Sequence, residues 1–263
     1  MGRYVSGQGS VRYETHGAVA RITFDRTGAR NAMTWAMYDQ LSIALGQLDA
    51  DATLRVAELR GAGGHFVAGT DISQFASFAS GDDGVAYERK LETIVARLEA
   101  VRIPTVAVVQ GNAAGAGLLL AAACDFRICT PDALFSAPIA RTVGNTLALK
   151  SVGRLVAHLG PSRTKTLVMS AGVMDAAEAR ASGFVNAVVE PDRLDQHVGE
   201  LVAKLLELAP LTLGATKRMV ARVMESLAAG EAEDIVREVY GSRDFHEGVN
   251  AFREKRAPRW EGK

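Results

Sequence analysis

Residues 106–125, VAVVQGNAAGAGLLLAAACD, leave the chain few ways to fold. Thr105 to Val109 is a β-rich apolar run of strand length. Gln110-Gly111-Asn112 is a cluster of turn formers, and Ala113 to Cys124 is small and apolar with good helix formers in its second half. The order is strand, tight turn, helix. Glycines at 111, 115 and 117 let the backbone approach a neighbour or ligand closely. A helix opening near Ala114 to Gly117 presents unpaired N–H groups at the positive end of its dipole. Such a helix start suits an anion or the oxyanion of a reacting carbonyl. The same residues equally suit a buried strand and helix packed through small side chains.

A second stretch repeats the pattern. In VAELRGAGGHFVAGTDI, residues 56–72, an apolar strand at Val56 to Leu59 enters a glycine-rich loop, and Phe66 to Ile72 leads into another helix. Two strand–turn–helix units in one domain can aim two backbone N–H groups at one carbonyl oxygen, which is what a thioester turning into an enolate needs.

Composition limits the rest. The 263 residues are 48% hydrophobic and 23% charged, enough for one large core with an appendage, in a globular protein. Thirty Lys and Arg balance thirty Asp and Glu, so no net field favours nucleic acid or an acidic membrane surface. Cys124 and Cys129 lie in or beside apolar segments and make neither a disulfide framework nor a metal set; reduced thiols in a cytoplasmic protein are expected. The opening residues carry no apolar signal region, and Gly2 with Ser6 fits the myristoylation pattern only loosely. Gln110 and Asn112 interrupt the longest apolar run, which makes it a poor membrane span.

Val11 to Glu14 and Val19 to Phe24 read as a hairpin around His16-Gly17. Thr34 is a natural N-cap for a helix whose Met37, Leu41, Ala44, Leu45 and Leu48 share a face. Ser80 to Gly84 reads as a mobile loop before a helix over Val85 to Val101 with Leu91, Ile94, Val95 and Leu98 on one face. Further strands are expected at Asp125 to Cys129, Ala133 to Ser136 and Val185 to Val189, and only helices follow Pro191. The expected organisation is a β/α core over residues 1–190 and a helical region over 191–263, packed on its own core or on another subunit.

Three segments then resemble the enoyl-CoA hydratase/isomerase (crotonase) superfamily: GAGGHFVAGTDI at 61–72, VVQGNAAGAGLLLAAACDFRI at 108–128 and DFHEGVNAFREKRAPRW at 244–260. SGFVNAVVEPDRL at 182–194 extends the likeness. The resemblance implies an α/β fold with a crotonase-type ββα spiral core and a C-terminal helical trimerisation region. It implies a homotrimer or dimer of trimers, and an acyl-CoA substrate whose coenzyme A stands in place of any separate cofactor or metal. It places the thioester oxygen between the backbone N–H groups of Thr70 and Ala116, the latter an alanine where relatives commonly have glycine. Gly115 belongs to the same helix start, the backbone of Ala68, Asp71 and Ile72 falls where relatives cradle adenine, and Lys255 with Arg256 where they bring cations toward the CoA phosphates.

The departure from the family concerns proton transfer. Hydratases of this superfamily use two glutamates, and residue-by-residue matching of GAGLLLAAACD and FSAPIA puts Leu119 and Ile139 at those places. Neither side chain moves a proton, and general acid–base catalysis typically contributes ~10²–10⁴-fold. Three readings follow: an acyl-CoA enzyme that stabilises an enolate with another proton carrier or none; a hydratase drawing carboxylates from elsewhere, with Asp71 and Glu247 as candidates; or a catalytically inactive acyl-CoA-binding or assembly protein. Arg141, two residues beyond Ile139, is a candidate to hold a carboxylate on the acyl group, beside Thr142 and Asn145. His65 is a possible base by type, although in relatives its loop lies near the CoA nucleotide; Asp71 equally suits a helix N-cap.

Overall fold

A computed structural model describes residues 7–227, 230 and 232–263. The strands are β1 (Ser10–His16), β2 (Val19–Asp25), β3 (Val56–Gly61), β4 (Thr105–Val109), β5 (Asn112–Ala114), β6 (Phe126–Cys129), β7 (Leu134–Ser136), β8 (Val173–Asp175) and β9 (Ala187–Val188). The helices are α1 (Trp35–Ala50), α2 (Gly81–Ala100), α3 (Ala116–Ala123), α4 (Ile139–Thr142), α5 (Leu149–Met169), α6 (Ala176–Ala181), α7 (Leu194–Glu207), α8 (Pro210–Leu227), α9 (Glu233–Tyr240) and α10 (Arg243–Arg253).

Six strands form one sheet in the order β1-β2-β3-β4-β6-β9, and β5-β7-β8 form a second. Only the opening hairpin of the larger sheet is antiparallel. Its parallel strands are covered on both faces, as crossover helices require. The period of two in β4 divides its side chains: Ala107 and Val109 enter the main core with α1, α2 and α3, while Val106 and Val108 meet Val198, Val202 and Leu205 of α7.

Local signals explain several elements directly. Thr34 caps α1 by accepting the Met37 N–H at 3.2 Å, and all five residues of its expected apolar face are buried. Ser80 to Gly84, which reads as mobile in the sequence, is instead the start of α2. Asp83 accepts the backbone N–H of Ser80 at 2.9 Å in a capping box. Its two glycines are there for packing: a Cβ on Gly81 would lie 1.9 Å from the Arg237 carbonyl, and one on Gly84 would lie 2.0 Å from Tyr240 Cγ. They let α9 lie directly on α2, and Phe245 of α10 stacks against Phe75 at 6.1 Å between ring centres.

The turn expected at 110–112 is shorter than it reads. Asn112 already begins β5, and the helix after it opens at Ala116. Three paired residues on β7 and one bridge to Val67 are enough to extend the backbone there, and no three-residue strand carries a sequence period that would reveal it.

Candidate functional site

The two glycine-rich junctions meet. β5 runs parallel to β7 with Ala114 opposite Ser136, and the Gly115 N–H donates to the Ser136 carbonyl at 2.9 Å. On its other side the Ala114 N–H donates to the Val67 carbonyl at 3.0 Å. A Cβ on Gly117 would fall 1.9 Å from that same carbonyl, so only glycine lets α3 approach segment 67–69. Gly115 (φ 51°) and Gly69 (φ 107°) sit side by side, a methyl on the former reaching to 3.8 Å from the Cα of the latter.

Neighbouring strands then determine which amides stay unused. The Met33 N–H donates to the Gly69 carbonyl at 2.8 Å, and the Asp71 N–H donates to the Met33 carbonyl at 2.9 Å. This bridge consumes groups on both sides of Thr70 and leaves the Thr70 N–H pointing the other way. Ala116 is the first residue of α3, so its N–H has no acceptor one turn back. Among the described residues neither amide has a hydrogen-bond acceptor in the chain. Ala116 is buried and Thr70 half-buried.

The Thr70 side chain is tied separately. Its hydroxyl lies 2.6 Å from the Tyr38 hydroxyl and 2.7 Å from that of Tyr87. Burial pushes both phenols above the ordinary tyrosine range, so they stay protonated. Trp35, Phe75 and Phe78 pack around them, with Phe75 5.0 Å from Tyr87 between ring centres. Behind this cluster lies a buried carboxyl, Glu88. It accepts the Tyr240 hydroxyl at 2.7 Å and the Ala148 N–H at 2.8 Å. Burial raises its pKa to about 7, and the nearby Glu92 adds to the shift. Nothing in the sequence alone separates these tyrosines and Glu88 from ordinary core and surface positions, because their partners lie 17 to 152 residues away.

Leu119 and Ile139, which the resemblance matches to the two hydratase glutamates, are buried and belong to the main core. Leu119 lies in the first turn of α3, its N–H donating to Gly115, and Ile139 follows Ser136 by three residues at the start of α4. Arg141 is exposed and its side chain has no partner among the described residues. Thr142 donates to the Pro138 carbonyl and Asn145 to the Tyr240 hydroxyl, so both serve local structure.

The other candidates are occupied. Asp71 caps the 3-10 turn over Ile72–Ser77; burial opposes its ionisation, but the Ser73 hydroxyl and amide and Arg26 hold its carboxyl below the usual range. The Ala68 N–H donates to the Arg30 carbonyl at 3.1 Å, so that amide is not free for a ligand. Ile72 is half-buried against the core. Glu247 is half-buried and clamped by Arg256 and the Arg259 N–H, which drive its pKa to about 2. Near neutral pH it is therefore ionised and holds no proton to donate. Arg256 is thereby engaged, while Lys255 stands exposed just past α10 with φ 54°. His65 accepts the Asn112 N–H on Nδ1 at 3.3 Å, a structural tie between the two junctions.

Both thiols are buried and pushed up to about 12, which makes them inert. Among the described residues no group of His, Cys, Asp and Glu could hold a metal ion, and no helix is long and apolar enough to cross a membrane.

With that geometry in view, comparison with known proteins is decisive for the family. The sequence profile described as enoyl-CoA hydratase/isomerase matches residues 14–263. The chain belongs to the enoyl-CoA hydratase/isomerase family. It is 30% identical over 250 residues to a 2,3-dehydroadipyl-CoA hydratase of Escherichia coli (strain K12), covering 93% of this chain and 96% of that one. It is also 30% identical over 251 residues to a short-chain-enoyl-CoA hydratase of Clostridium acetobutylicum, covering 94% and 95%. Among solved structures, methylmalonyl-CoA decarboxylase in complex with 2-nitronate-propionyl-CoA superposes with a TM-score of 0.86 at 28% identity, covering 96% of this chain and 98% of that one. The crotonase fold expected from the sequence is therefore the fold observed, in an acyl-CoA enzyme family.

Proposed function

We propose that this protein converts a CoA thioester through an enolate held by the Thr70 and Ala116 amides, and that the reaction best matched to the site is decarboxylation of a 2-carboxyacyl-CoA. The observation that carries this reading is the pairing of two unused amides at adjoining glycine junctions with buried, apolar Leu119 and Ile139, the residues that the resemblance matches to the hydratase carboxylates.

Adding water to an enoyl-CoA requires a base for the water and an acid for the α-carbon. Loss of CO2 requires neither to form its enolate. The bond from the α-carbon to the carboxylate breaks, its electron pair passes into the α-carbon and thioester oxygen, CO2 leaves, and a proton from solvent completes the product. The two amides stabilise the developing oxyanion, the role for which a single donor is worth ~10²–10³ in rate. A substrate carboxylate brought against Leu119 and Ile139 would lose hydration, and departure of CO2 moves its charge to the thioester oxygen, where the two amides meet it. Arg141 would select an acidic acyl group on entry. A methylmalonyl-CoA decarboxylase among the well-superposing structures supports the assignment.

The test is direct. Purified protein is incubated with malonyl-CoA, methylmalonyl-CoA and crotonyl-CoA, following CO2 release and the conjugated absorbance of the enoyl thioester. CO2 from a 2-carboxyacyl-CoA without hydration of crotonyl-CoA is the expected result. Efficient hydration would overturn the reaction assignment, and tight CoA-ester binding with no product from a broad panel would leave an acyl-CoA-binding or assembly protein.

A further inference from the structure

We infer that Tyr38 and Tyr87 are positioning residues that act through the Thr70 hydroxyl to fix the direction of the Thr70 amide. The inference rests on the reading that this amide receives a thioester oxygen.

The need for such a device follows from the local backbone. Gly69, directly before Thr70, has φ 107° and no side chain to anchor it. The Met33 bridge holds the Gly69 carbonyl, and through the planar Gly69–Thr70 peptide the opposed N–H, by a single hydrogen bond on the Gly69 side. A hydrogen-bond donor aimed at a developing charge is effective only if its direction is set before the reaction.

The Thr70 side chain supplies a second anchor, on the Cα side of that peptide. A hydroxyl donates once and accepts twice, so one oxygen can bridge two phenols. Contacts at 2.6 and 2.7 Å fix χ1 from two sides and with it the orientation of the Cα, whose substituents include the amide nitrogen. The two anchors come from different helices: Tyr38 lies on α1 and Tyr87 on α2. Both rings are held by Trp35, at 6.2 and 5.6 Å between ring centres. Three elements thus converge on one residue. A core threonine needs no more than one local carbonyl to satisfy its hydroxyl, and buried Thr164 is satisfied in that way by Gly160.

The experiment uses full-length protein saturated with acetyl-CoA carrying 13C at the thioester carbonyl, and reads that carbon's NMR shift. Thr70→Ser, Thr70→Val, Tyr38→Phe and Tyr87→Phe are compared with the wild type, with thermal unfolding recorded for each. The wild-type resonance is expected downfield of free acetyl-CoA and Thr70→Ser should match it. Thr70→Val and the double Tyr38→Phe/Tyr87→Phe variant should return toward the free position by similar amounts. Where a turnover assay exists, kcat should fall by roughly 10- to 100-fold with little change in KM, the pattern of misplaced rather than lost binding groups. A wild-type resonance at the free position would overturn the functional reading and this inference together. A displaced wild-type resonance that is unmoved in the double tyrosine variant, which retains Thr70 should Thr70→Val fail to fold, would overturn the inference alone.

Discussion

A methyl group built on Gly115 would lie 3.8 Å from the Cα of Gly69. Two loop-to-helix junctions, 46 positions apart in the numbering of these glycines, therefore share one small volume in which side chains are missing on both sides. Gly69→Ala tests the value of that arrangement. The new Cβ would meet the Ala114 carbonyl at 3.3 Å and force alanine to φ 107°. We expect a stability loss of ~1–3 kcal/mol in denaturant unfolding. Turnover should fall by ~10²–10³-fold as the neighbouring Thr70 amide is displaced. Unchanged turnover in a folded Gly69→Ala protein would show that the junction is not catalytic.

Docking of the C-terminal helices depends on Gly84. Alanine there would place its Cβ 2.0 Å from Tyr240 Cγ, a rigid ring atom in a packed cluster. Overpacking of this kind typically costs ~1–3 kcal/mol. Because the clash falls between α2 and α9, Gly84→Ala should lower hydrogen-exchange protection over residues 233–253 more than in β2, β3 and β4. A uniform loss, or none, would contradict the packing described.

Glu88 imposes a pH dependence with a definite sign. Its pKa is raised from 4.5 to about 7 in the folded protein, so the folded state binds its proton more tightly than the unfolded state. The resulting stability is fully present below pH ~4.5 and is lost as pH rises through about 7. The shift corresponds to on the order of 3 kcal/mol. Glu92, itself paired with Arg154, faces the group, as do Tyr240 and the Ala148 N–H. Thermal unfolding from pH 5 to 8.5 should show falling stability in the wild type and a shallower fall in Glu88→Gln, which carries no charge to bury. Equal slopes would assign the pH dependence elsewhere.

Arg141 bears on substrate choice rather than on folding. It is exposed, with no side-chain partner among the described residues, so Arg141→Ala should change stability by less than ~0.5 kcal/mol. If it selects acidic acyl groups, the variant should lose kcat/KM for a 2-carboxyacyl-CoA by about tenfold while its affinity for acetyl-CoA is retained, a loss of ~1.4 kcal/mol. Equal effects on both ligands would remove the selectivity role.

How much of this was legible in the sequence follows physical lines. Elements with a strong period or cap were readable: Thr34 and the buried face of α1, the apolar run of β4, and the helices after Pro191. The strand–turn–helix order around Gly69 and Gly115 was also readable, although the same glycines suit plain close packing and do not by themselves reveal a site. Ser80 to Gly84 was misread as mobile because glycines that admit Tyr240 look the same in sequence as glycines that loosen a loop. The short β5 and β8 strands were invisible for want of a period. The hydroxyl chain of Tyr38, Thr70 and Tyr87 was invisible because it joins three elements that meet only in the folded protein.

The central claim is that the amides of Thr70 and Ala116 converge on one thioester oxygen. Isotope-edited infrared spectroscopy of a 13C-labelled thioester bound to the wild type and to Ala116→Pro tests it most directly, since proline removes one N–H at a helix position that tolerates it. A carbonyl stretch lowered on binding to the wild type, and restored part of the way toward its frequency in water by Ala116→Pro, is the predicted result. The same frequency in water and in both proteins would contradict it.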